Sequence, residues 1–150
     1  MNNTRLAFRL PVSLAAAGLM ALGAMASVHA AGLGKDEYRS IKDRIKAEYN
    51  ADKAACQKST GNARDICVEE AKGKQKVALA ENEYNYTGKA NDRNKIAAAR
   101  ADADYAVAKE RCDDKAGNDK TVCVKEAKAA QAKAKSDATM NKHAETGGKS

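Results

Sequence analysis

Two pairs of cysteines with identical spacing constrain this chain more than anything else in it. Cys56 and Cys67 recur as Cys112 and Cys123, each pair encloses ten residues, and the offset between the pairs is 56 residues. Around them Arg44/Arg100, Ala47/Ala103, Tyr49/Tyr105, Gly61/Gly117, Asn62/Asn118 and Glu70/Glu126 fall into the same register. A fixed period of this length means one supersecondary unit used twice.

The residues between the cysteines make that unit a helical hairpin. Ala, Lys, Glu, Arg and Gln dominate, and these lose least on entering a helix. The single Pro is Pro11, so nothing beyond it is barred from helix by proline. At the centre of each repeat stands Gly-Asn. Gly61 suits the left-handed position that ends a helix, and Asn62 suits the N-cap of the next; Gly117 and Asn118 repeat the device. Helix, Gly-Asn, helix reads as a short αα-hairpin.

The cysteines test this reading. Cys56 lies as far before the Gly61–Asn62 turn as Cys67 lies after it, and Cys112 and Cys123 flank Gly117–Asn118 in the same way. In an antiparallel hairpin such residues face each other, which brings their Cα atoms into the roughly 4.4–6.8 Å range a disulfide needs. Of the three possible connectivities, the hairpin favours Cys56–Cys67 with Cys112–Cys123. Closing so small a loop contributes roughly 3 kcal/mol in the chain-entropy model. The same register pairs Ile45 with Ala78, Tyr49 with Lys74 and Ile41 with Asn82 in the first unit. In the second it pairs Ala101 with Ala134 and Ala97 with Ala138, an Ala-on-Ala seam. The first unit is therefore expected to be the firmer. Tyr84 and Tyr86, with Tyr38 near them, are expected to cover its open end.

The fold expected is all-α: two tandem disulfide-stapled antiparallel helical hairpins, four helices in all, as an elongated or open four-helix bundle. The boundaries are a first hairpin repeat over 31–88, a second over 89–145, and a loose tail over 146–150. Residues 1–30 read as a cleaved signal peptide. Arg5 and Arg9 precede an apolar run from Val12 to Val28, and Val28-His29-Ala30 sets small residues before Ala31. The run is broken by Ser13, Gly18 and Gly23, which favours cleavage over a retained anchor, and no other segment is apolar enough to span a bilayer. Removing Arg5 and Arg9 takes the formal charge from +7 to +5. Four cysteines in an exported chain read first as disulfides. The expected location is periplasmic, with secretion as the alternative.

Chemistry is harder to find. The ten-residue spacing matches no zinc knuckle, which wants ligands two to four residues apart, so no metal and no cofactor are expected. Redox-active dithiols sit within one turn at a helix start, whereas these cysteines fall on separate helices. The carboxylates alternate with cations at helical spacing, as in Arg39/Asp43, Glu70/Lys74, Arg100/Asp104 and Lys109/Asp113, which reads as solvated helix faces. No catalytic constellation emerges, and the chain is not expected to be an enzyme. The best functional candidate is a basic stripe, Lys125, Lys128, Lys135 and Lys142, on one face of the last helix away from the seam. Such a stripe suits anionic envelope components (peptidoglycan, lipopolysaccharide or lipid headgroups) or an acidic envelope protein. Nucleic acid is not an expected partner, because the Lys residues are interleaved with acids and lack stacking aromatics.

With its run ADYAVAKERCDDKAGNDKTVCVKEAKAAQAKAKSDA after a signal-type segment, the chain resembles small exported Ala/Lys-rich, cysteine-paired repeat proteins of Gram-negative bacteria. These are often labelled TolA-like cell-envelope proteins. The resemblance covers both repeats, and its core pattern is Tyr, Cys, Gly-Asn or Gly-Asp, Cys and Lys-Glu-Ala-Lys. What it shares with TolA itself is the composition of the helical stalk, and no TolA binding residue carries over. It implies an envelope setting. The function expected is non-enzymatic: a periplasmic structural or interaction protein acting through charged helix faces. A stress-protective, holdase-like protein is the alternative.

Overall fold

Helix formers run almost without interruption along the chain, and the breaks between helices fall where glycines and polar residues cluster. The computed structural model describes residues 32–147, with side chains through Met140. The signal-type segment, its cleavage site, the side chain of Lys142 and residues 148–150 lie outside the described residues. Those described form four α-helices and no strand: α1 (Lys35–Ala55), α2 (Gly61–Thr87), α3 (Ala90–Cys112) and α4 (Gly117–Gly147). A short 3-10 turn, Cys56–Lys58, follows α1. Helix α4 continues through Thr146 and Gly147, which the sequence reading gave to the tail. A glycine costs a helix only about 1 kcal/mol, so it weakens the last turn without ending it.

Both disulfides pair within a repeat. Cys56–Cys67 and Cys112–Cys123 hold their Cα atoms 5.6 Å and 5.7 Å apart. Cys56 and Cys112 are almost wholly buried and belong to a very small core, with Ile45, Ala71, Ala99 and Ala101. The expected register holds where the structure describes it. Ile45 and Tyr49 lie beside Lys74 and Ala78, Ile41 beside Asn82, and Ala97 and Ala101 beside Ala134.

The turns differ from expectation in two respects. Gly61 and Gly117 do take left-handed conformations, with φ of 56° and 54°. They open α2 and α4, however, and do not close the helices before them. Helix α1 has already ended at Ala55; the chain then tightens into the 3-10 turn and runs extended through Ser59 and Thr60. Asn62 is not an N-cap either. Its Nδ2 donates to the carbonyl of Glu110 at 2.8 Å, a group in the last turn of α3, where helix carbonyls lack a full set of intrahelical donors. Its repeat twin Asn118 is exposed.

The far end of the first hairpin is closed by aromatic rings. Tyr38 stacks on Tyr86 with ring centroids 4.5 Å apart, and Tyr38 Oη donates to Glu83 at 2.6 Å. That carboxylate raises the Tyr38 hydroxyl above its ordinary pKa of 10.0. Buried Asn82 donates to the Tyr38 carbonyl, and the guanidinium of Arg93 lies over Tyr84. Helix α3 starts at Ala90, and Asp92 in its first turn accepts from Thr87 Oγ1 and pairs with Lys95.

The packing order is serial. Helix α1 packs on α2, α2 on α3, and α3 on α4; no other pair of these helices is in contact among the described residues. The result is an open row of four antiparallel helices, and the two hairpins share the α2–α3 seam within a single compact unit.

Candidate functional site

A close approach in the α2–α3 seam is made possible by a missing side chain. A Cβ on Gly73 would stand 2.7 Å from that of Ala103, so only glycine lets the two helices come together at this level. The repeat twin of Gly73 is Ala129, which is exposed on α4. Other seam residues behave alike. Ala99 is buried and its twin Asp43 exposed; Val77 is half-buried and its twin Lys133 exposed. The two repeats therefore differ most where α2 and α3 meet and where α1 and α4 have no neighbour.

Beside this seam the helices diverge into a groove of about 700 Å³ with an apolar floor that includes Gly73, Val77, Ala103 and Val107. Two ion pairs run between the helices at its ends: Glu70 with Arg111 at 3.1 Å and Glu81 with Arg100 at 2.6 Å. Between them the rim carries Lys74, which reaches Asp52 of α1 at 3.2 Å, and Asp104, which forms no ion pair among the described residues. Glu70, Lys74, Arg100 and Asp113 were read as intrahelical i,i+4 partners. In the folded protein Glu70, Lys74 and Arg100 pair across helices, and Asp113 pairs with Lys120 at 2.9 Å between the end of α3 and the start of α4.

The Lys stripe of α4 is only partly a free surface. Lys125 and Lys128 are exposed and form no ion pair among the described residues, while Lys142 has its side chain outside them. Lys135 turns towards α3 and pairs with Asp102, to which Gln131 Nε2 also donates at 2.7 Å. The Lys135 ammonium, helped by Gln131, holds the Asp102 carboxyl below its ordinary range. The spacing along α4 places the Lys135 backbone on the flank of the seam, but a four-carbon stem carries its charge back into the seam. Gly61, Gly117 and Asn118 are exposed, and half-buried Asn62 alone ties its turn to a neighbouring helix.

Among the described residues no group of three or more His, Cys, Asp or Glu is gathered to hold a metal ion. No described helix is long and apolar enough to cross a membrane. What the sequence reading missed is the groove, since that reading folded each repeat alone. The signal was present in the register: Gly73 against Ala129 and Val77 against Lys133 break the repeat on one helix face. Compared with known proteins, the chain matches no family model, no curated protein and no solved structure.

Proposed function

We propose that this protein is a non-enzymatic interaction protein of the bacterial cell envelope, working in the periplasm through the charged faces of its helices. The observation that carries the reading is the open edge of the row. Helix α4 has α3 as its one neighbour and leaves Lys125 and Lys128 exposed and without ion-pair partners among the described residues. A long helix with uncompensated cations on its free side suits carboxylate- or phosphate-rich envelope surfaces, peptidoglycan and lipopolysaccharide among them. Two closed disulfides support an oxidising compartment, as does the signal-type segment at residues 1–30.

Co-sedimentation of the oxidised protein with purified sacculi and with outer-membrane vesicles, at low and high salt, tests this. Binding is expected at low salt and release at high salt, because exposed charges are screened beyond about 10 Å at 0.1 M salt. Replacing Lys125 and Lys128 by Gln should weaken binding. Absence of binding at low salt would overturn the reading and favour the holdase-like alternative, for which suppression of client aggregation is the direct assay.

A further inference from the structure

We propose that the groove between α2 and α3 is a self-association surface that takes a second copy of this chain, the two copies related by a two-fold axis parallel to the helices. The groove has a volume of about 700 Å³, and a single row of helices leaves its apolar floor open to water. Helical domains ordinarily bury such a face against a second layer. The edges of the row do not offer the same opportunity. The outer faces of α1 and α4 carry Asp43 and Lys133 at the positions where the internal seam has Ala99 and Val77, which is how the ends of a repeat array resist further growth.

The rim charges identify the occupant. They comprise three acids, Glu70, Glu81 and Asp104, and three bases, Lys74, Arg100 and Arg111, so the rim is neutral and asks for a neutral, mixed-charge partner. Their placement fits one symmetry. Glu81 and Arg100 share one level of the antiparallel pair, and Glu70 and Arg111 share another, eleven residues or roughly 16 Å along the axis. An axis running along the groove exchanges α2 with α3 and keeps each level. It sets the second copy's Glu81 over Arg100, its Glu70 over Arg111, and its Lys74 within a turn of Asp104. An in-plane axis across the helices would instead set Glu70 over Glu81 and repel. Two helices about 35 Å long and 8–10 Å apart present about 700 Å² per copy, close to the 800 Å² or so of a standard interface. Such a contact is isologous and closes at two copies.

Analytical ultracentrifugation of the oxidised protein over a wide concentration range tests the proposal. A monomer–dimer equilibrium weakened by salt is expected. Val77→Lys sets a charge on the groove floor and should weaken self-association at least about a hundredfold, with helical circular dichroism of the same sample recording that the α2–α3 seam still forms. A second test does not depend on that variant. An acid-rimmed form (Arg100→Glu with Arg111→Glu) and a base-rimmed form (Glu70→Arg with Glu81→Arg) should each be monomeric and should form a 1:1 dimer when mixed. A wild-type protein that stays monomeric to millimolar concentration overturns the proposal. So does a dimer that survives Val77→Lys, or a monomer whose groove instead takes up a hydrophobic dye.

Discussion

A single hydrogen atom at position 73 decides how near α2 and α3 can come. Any larger side chain meets Ala103, whereas at the twin position 129 the same change points into solvent. Gly73→Leu is expected to destabilise the protein by about 1–3 kcal/mol through overpacking, despite the better helix propensity of leucine. Ala129→Leu should stay within about 0.5 kcal/mol of the parent. Thermal denaturation of the two variants side by side checks this; equal melting temperatures would mean that the seam yields freely. The left-handed backbone of Gly61 and Gly117 was legible without the structure, although their place at the start of α2 and α4, and not at the end of the helices before, was not. Nor were the roles of Asn62 and Lys135, because each has a side chain that reaches a neighbouring helix whose position no local pattern encodes.

Between elements, pairing within each repeat was legible because the cysteines stand symmetrically about each turn, and that symmetry fixes the register. The seam between repeats has no symmetric pair to fix it; its trace in the sequence is the break in the repeat at Gly73 and Val77, which marks a face of α2 but not the helix it meets. Polar contacts supplement a seam as poor in apolar side chains as that between α3 and α4. Asp102 is the chief of these, accepting from Gln131 and pairing with Lys135 across the two helices. Its carboxyl is held below the ordinary value of 3.8, first by Lys135 and then by Gln131. A carboxyl depressed in the folded state contributes its stability above its unfolded pKa, and the contribution is lost as pH falls through the lower folded value. The stability difference between the parent and Asp102→Asn should therefore be full at neutral pH. It should shrink as pH falls below the ordinary 3.8 and vanish at still lower pH. The pair is partly exposed, so the difference should not exceed about 1 kcal/mol. Urea midpoints across this range measure it, and a pH-independent difference would show that Asp102 acts by packing and not by charge.

At the scale of the whole molecule, a row in which each helix touches only its neighbours behaves as a one-dimensional array. The inner helices α2 and α3 each have two partners, whereas α1 and α4 each have one and a disulfide. Stability should fall from the centre outwards, and the two ends should not be equal. Helix α1 is held by buried Ile45, the Tyr38–Tyr86 stack and the Asn82 bond to the Tyr38 carbonyl. Helix α4 rests on alanines and on the Asp102 contacts, so it depends more heavily on its staple. Each staple is worth roughly 3 kcal/mol by loop closure, a large fraction of the 5–15 kcal/mol that holds an ordinary domain together. Amide hydrogen exchange on the oxidised protein should rank α2 and α3 as most protected. Reduction should strip protection first from α4, then from α1, with α2 and α3 retaining the most. If all four helices lose protection together on reduction, the molecule is one cooperative unit and the serial packing does not govern its energetics. If α1 is released before α4, the aromatic cap at the far end of the first hairpin contributes less than the alanine seam of the second.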